Sequence, residues 1–242
     1  MKKLITLLFI VLGQQVYAQN LQLVGSTAQM MKNFDLSANI DFDTLSNTEN
    51  LYGIGAIENL QGEMTIINGK PYVATWSKDN QAQIEQTFNK NGIFLVSANV
   101  KEWKEIEINQ KFNDKSELLA YVLKQAEKND LDVDGGFPFR IETKVDHIRA
   151  HISFISEATI QNFSPQAKKA DDHRVIIENE DVEIIGFAGH QAGGRFAMPA
   201  MPNRPASKMH IHFLTADQKK IGHIEDLKIL QKAVLYLPQF QQ

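Results

Sequence analysis

Three histidines, His210 and His212 in KMHIHFL and His223 in IGHIEDLKI, have the type and spacing of a metal centre. Residues two apart in a strand project from one face, so both rings of the His-x-His pair point the same way. The intervening TADQKK reads as a turn, and a hairpin centred between Asp217 and Gln218 sets His212 opposite His223 and Leu214 opposite Ile221. Directly opposed Cβ atoms lie ~4.5–5.5 Å apart and diagonal ones ~7–8 Å apart. All three imidazoles can therefore converge on one ion at Zn–N distances of ~2.0–2.1 Å. Three protein ligands with an open fourth position is the pattern of a catalytic zinc site and leaves the ion Lewis-acidic. Imidazole also suits iron and manganese. Taken singly, each histidine would more often be a structural or solvent-facing residue; their shared face on one hairpin favours the metal. A cupin-like barrel also carries a His-x-His pair, but it usually takes its last histidine from a much later strand, which fits this spacing poorly.

The elements that must position this cluster are mostly short β-segments. In GEMTIINGKPYVATW, two β-rich runs flank Asn68 and Gly69, the pair preferred in a type I′ hairpin turn. Leu118, Leu119, Val122, Leu123 and Ala126 recur at helical spacing, and Asp114 with Glu117 three residues later forms an N-terminal cap, which predicts a helix over 115–128. A short helix is also expected within Ser26 to Ser37. FPFRIETKV, HIRAHISFI and RVIIENEDVEIIGF have strand character, and the stretch around NFSPQAKKADD reads as a loop dividing two layers. His190 and Arg195 fall in a Gly/Pro/Met-rich stretch from Gly189 to Pro205, and two readings stand for them: a loop over the metal that contributes to substrate binding, or ordinary surface-loop residues, the commoner case. The pattern is α+β, with mostly antiparallel or mixed sheets, few helices and two tightly associated sheet subdomains at about 19–165 and 166–242.

The chain begins MKKLITLLFIVLGQQVYAQN, with two lysines, an apolar run and small residues at Val16 and Ala18. This is the order of a secretory signal peptide over 1–18, cleaved before Gln19, and it implies a periplasmic or secreted product. A spanning helix needs about 20 apolar residues, whereas the run from Leu4 to Leu12 has nine. With no cysteine, neither disulfides nor thiolate ligands are available, so a metal must use His, Asp or Glu. A net charge of −4 with mixed signs and no Lys/Arg stripe argues against a nucleic-acid surface.

The segment HIHFLTADQKKIGH resembles the metal-binding segment of alpha-acetolactate decarboxylases, with the spacing of all three histidines kept. STAQMMKNFDLS, LYGIGAIENLQGEMTIINGK, FPFRIETKV and VEIIGF match in order, so the resemblance runs across nearly all of residues 19–242. It implies a two-layer α/β fold, zinc on His210, His212 and His223, and loss of carbon dioxide from acetolactate to give acetoin. Glu63 matches the glutamate of the family's GEM-like motif and becomes the candidate proton donor; without the resemblance it would read as a solvated glutamate beside a hairpin.

Two family features do not carry over. The family's arginine is replaced by His151, with Arg149 two residues earlier, so either could receive the substrate carboxylate. The family's C-terminal glutamate finds no match in the nineteen residues after His223. The expected partner is a small oxo acid, with no nucleic acid and no membrane after cleavage, in a chain that could form a homodimer. Two alternatives stand beside acetolactate decarboxylation: a related metal-dependent lyase or isomerase on another oxo acid, and a secreted metal-binding protein without catalysis.

Overall fold

The computed structural model describes residues 21–239 apart from 78 and 80. The expected signal peptide lies outside the described residues. Among those residues, no helix is long and apolar enough to cross a membrane.

The first sheet is built from β1 (Gln22–Val24), β2 (Ile40–Asp41), β3 (Leu51–Ile57), β4 (Glu63–Ile67), β5 (Lys70–Trp76), β6 (Ala82–Glu85) and β7 (Asn91–Asn99). Its order is β1-β7-β3-β4-β5-β6, with β2 also on β7. The β4–β5 hairpin turns at Asn68 and Gly69, with φ of 50° and 76°. Positive φ at both central residues is what a type I′ turn requires.

The second sheet contains β8 (Trp103–Ile108), β9 (Phe137–Ile152), β10 (His173–Ala188), β11 (Met209–Thr215), β12 (Ile221–Lys228) and β13 (Ala233–Pro238). The strand signals over 137–155 fuse into β9, and those over 174–187 form β10. Strands β9 and β10 pair with each other as well as with β12 and β11 respectively, so four strands close a ring. Closure removes the exposed edges that β11 and β12 would otherwise present.

Four helices complete the fold: α1 (Thr27–Lys32), α2 (Lys115–Glu127), α3 (Glu157–Gln161) and α4 (Pro165–Asp171). Helix α2 starts where the sequence places it, with the Asp114 carboxylate accepting from the N–H groups of Ser116 and Glu117. Glu117 accepts from the N–H of Asn113 at 2.7 Å, one residue further back than a capping box. Leu118, Val122 and Ala126 are fully buried against β9, β10 and β12.

The division of the chain differs from the sequence expectation. It passes from one sheet to the other between Asn99 and Trp103, not near residue 165. The stretch 162–172, expected as a loop, holds α4, which is capped by Ser164 and begins on Pro165. A proline at the first helical position sacrifices no intrahelical bond, so the Ser-Pro pair starts this helix.

The two sheets meet through Tyr52, Ile54 and Val96 on one side and Ile185, Phe187 and Leu214 on the other, all buried in one cluster. Burying each such side chain is worth about 1.5–3 kcal/mol. In β11 the alternation is clean: Ile211 and Phe213 pack into the core with α2, while His210 and His212 face the other way. The histidine face of the second sheet is therefore turned toward the first.

Candidate active site

The β11–β12 hairpin has the expected register, with His212 opposite His223 and Leu214 opposite Ile221. The ring centroids of His210, His212 and His223 lie 4.5–5.5 Å apart. One ligand atom from each falls within 4.8 Å of the others. Two nitrogens bound 2.0–2.1 Å from one tetrahedral ion would be ~3.3 Å apart, so small ring rotations suffice to seat it.

Each ring is held by its second nitrogen or by its neighbour. The Phe196 carbonyl lies 2.5 Å from His210 Nδ1. A carbonyl only accepts, so that Nδ1 carries the proton and Nε2 turns a bare lone pair toward the cluster. His223 Nδ1 stands 2.8 Å from that Nε2. His212 Nδ1 is 2.8 Å from the Thr65 hydroxyl across the sheet interface. Its other nitrogen, Nε2, is buried and has no hydrogen-bond partner. Leaving such a group unpaired costs about 1–3 kcal/mol, and a bound cation would satisfy it. Burial depresses all three imidazoles, His210 to about 3 and the other two well below the usual value. They are neutral at physiological pH, the state that ligation needs. The donor set therefore fits a divalent ion.

Glu63, the first residue of β4, is buried and approaches His212 Nε2 to 4.0 Å through Oε2. Its Oε1 accepts the N–H of Ser153 at 3.2 Å. Burial raises its pKa, opposed by the nearby His151 and Lys168 and by the Ser153 bond. Glu63 and Thr65 are two apart and share the face that meets the histidines, while Met64 packs on the opposite face.

Arg149 and His151 line the same cavity of about 460 Å3. Both are bound by one residue: Glu225 accepts from Arg149 Nε at 3.0 Å and from His151 Nδ1 at 3.2 Å. The His151 bond, with Arg149 reinforcing it, lowers the Glu225 pKa to about 2. Lys168 and Asp172, brought in by α4, pair at 2.7 Å and face the cavity. The lining also has an apolar part, with Met30, Met31, Leu60, Phe94 and Met198.

Lys115 also lines the cavity, and neither it nor Thr65, Glu225, Lys168 or the Phe196 carbonyl belongs to a motif that marks it for this site. His190 lies near Lys208 on the surface and Arg195 donates to the Gly135 carbonyl, so neither lines the cavity. Their loop nevertheless reaches the site through Phe196 and Met198.

A family model of alpha-acetolactate decarboxylase matches residues 25–242. The chain belongs to the alpha-acetolactate decarboxylase family. Its fold agrees: alpha-acetolactate decarboxylase from Bacillus subtilis strain 168 superimposes with a TM-score of 0.66 at 16% identity, covering 91% of this chain and 86% of that one. Acetolactate decarboxylase from Bacillus subtilis subspecies spizizenii gives 0.67 at 17% identity with the same coverage. A Staphylococcus aureus protein of unknown function, described as similar to alpha-acetolactate decarboxylase, gives 0.66 at 16%. Curated protein sequences give no match. Membership in this decarboxylase family therefore rests on a model spanning nearly the whole chain, and the solved structures show that its two-sheet fold is shared.

Proposed function

We propose that this protein converts 2-acetolactate to acetoin and carbon dioxide with a divalent ion, zinc in the first instance, held by His210, His212 and His223. The observation that carries this reading is the approach of the buried Glu63 carboxyl to the unpartnered nitrogen of His212. A Lewis acid bound at the three histidines would stabilise negative charge developing on the hydroxyl and keto oxygens of a 2-hydroxy-3-oxo acid.

The remaining work falls to the protein. When the bond to the carboxylate breaks, its electron pair moves onto the adjacent keto group and one proton must return to carbon. Glu63 supplies that proton and regains one from solvent, so each acetolactate anion and proton give one acetoin and one carbon dioxide. Burial raises its pKa and so favours the protonated form that can donate. Thr65 and the Phe196 carbonyl orient two of the rings. The apolar wall of Met30, Met31, Leu60 and Phe94 accommodates the alkyl groups and limits water.

Incubation of the zinc-loaded protein with racemic acetolactate tests the reading. Acetoin and carbon dioxide should form in equal amounts; release of neither from a fully metallated protein would end it. Export is part of the same proposal, with the active protein beginning at Gln19, and N-terminal sequencing from the native host checks it.

One observation favours a second reading, a related lyase or isomerase acting on another oxo acid. Position 151 carries an imidazole tied to Glu225 where the family resemblance places an arginine. Turnover of a different 2-hydroxy-3-oxo acid in strong preference to acetolactate would select it.

A further inference from the structure

The cations around the cavity are not equally available. Arg149 is bound to Glu225 at 3.0 Å. Lys168 donates to both oxygens of Asp172, at 2.7 and 2.9 Å. His151 lies between two carboxylates, 3.2 Å from Glu225 and 3.8 Å from Asp172. Each of these three side chains already faces a carboxylate, so an incoming carboxylate would have to displace one, and two further cations on the cavity lining, Lys169 and Arg204, are exposed to solvent.

Lys115 differs. It is the first residue of α2, half-buried at the cavity wall, and its Nζ donates to the Ile224 carbonyl at 2.9 Å. Among the described residues, no carboxylate lies within 4.0 Å of that ammonium. Its backbone N–H is fixed by Asp226 at 3.1 Å, so the residue is anchored at both ends. Ile224 directly follows His223, which places the ammonium beside the histidine cluster, and its charge reaches all three imidazoles. Arg204, from the 189–205 loop, repels it, while Asp226 and Glu225 attract it without closing an ion pair. An ammonium has three donors, and the Ile224 carbonyl uses one. The carboxylates nearest this half-buried ammonium are engaged elsewhere, Asp226 by the backbone N–H of Lys115 and Glu225 by Arg149 and His151, so an anion bound here adds compensation that the protein leaves incomplete.

We infer that Lys115 receives the carboxylate of the substrate, and that it selects anionic 2-hydroxy-3-oxo acids over neutral hydroxyketones. The inference rests on the function proposed above and replaces Arg149 and His151 as the carboxylate partner. Lys115 is a specificity-determining cation in this role; Glu63 remains the proton donor.

Two unreactive probes separate this assignment from the reading beneath it. The first is 2,3-dihydroxy-2-methylbutanoate, which keeps the adjacent oxygens and the carboxylate but has no keto group. The second is acetoin, which lacks the carboxylate. Calorimetry on zinc-loaded Lys115→Met should show affinity for the dihydroxy acid falling roughly 10- to 100-fold, the range for a charge-assisted bond, with acetoin affinity unchanged. Lys115→Arg should restore most of the anion affinity. Zinc content and melting temperature of both variants check that the site is intact. Unchanged affinity for the dihydroxy acid in Lys115→Met, or equal loss of both ligands, would overturn the role of Lys115 while leaving the decarboxylase reading in place. A wild-type protein that binds neither compound would overturn both.

Discussion

The Thr65 hydroxyl and His212 Nδ1 stand 2.8 Å apart although 147 residues of chain separate them. This bond links the two sheets at the histidine cluster and frees His212 Nε2 to face the site. Thr65→Val keeps the shape but removes the bond. Metal affinity should fall on the order of 10- to 100-fold, the usual cost of losing such an orienting partner. Competitive chelator titration measures it, and an unchanged affinity would mean that packing alone orients the ring.

Glu63 makes the complementary connection. Glu63→Gln keeps the volume and can still face Ser153, but its amide cannot release the proton that completes acetoin. Zinc content should be unchanged while turnover falls about 10²- to 10⁴-fold. Full turnover in this variant would assign proton delivery to solvent or to another group.

These two residues show where the sequence was legible. The hairpin register followed from placing the turn between Asp217 and Gln218, which sets His212 opposite His223 with all three histidines on one face. Asp114 with Glu117, and Asn68 with Gly69, announced a helix start and a turn through local chemistry that does not depend on the rest of the fold. Thr65, Glu225 and Lys115 were not legible because their roles exist only once distant segments meet. The Phe196 carbonyl has no side-chain signature at all. Helix α4 is not legible in the sequence because Ser164, Pro165 and Asp172 each also suit a turn. Arg149 and His151 do share a face, as alternation on β9 requires, but Glu225 on β12 takes up both.

The lysine on α2 gives the site a pH dependence. Burial, reinforced by Arg204 and opposed by Asp226 and Glu225, lowers the Lys115 pKa from 10.5 to about 8. The charged form dominates below that value, so KM for an anionic substrate should be low under neutral conditions and rise as pH passes about 8. The charged groups that act on this ammonium are Arg204, Asp226 and Glu225, and it acts in turn on the three histidines of the cluster. Lys115→Arg, which stays charged throughout, should flatten the rise. A KM that climbs identically in both proteins would trace the dependence to a different group.

Arg149 should matter much less. It is exposed and already paired with Glu225. Exposed pairs contribute ~0–1 kcal/mol, so Arg149→Ala should change KM by less than about fivefold. A larger rise, with kcat preserved, would return the carboxylate to this arginine.

The cap of α2 joins stability to binding. Asp114 accepts from the N–H groups of Ser116 and Glu117 and fixes the turn from which Lys115 projects. Asp114→Ala should cost about 1 kcal/mol in chemical denaturation, together with a rise in KM that exceeds any change in kcat. Equal stability would mean that Glu117 and the buried face of the helix hold this terminus unaided.

The central claim is that the three histidines hold an ion required for decarboxylation. Its most direct test follows acetoin formation from acetolactate by the native protein, the chelated protein and the chelated protein after zinc is restored, with His212→Ala carried through the same cycle. Activity should disappear on chelation and return with one zinc per chain in the native protein, while the variant binds little zinc and recovers no activity. Acetoin formation at the native rate by fully chelated protein, or by His212→Ala without zinc, would contradict the claim.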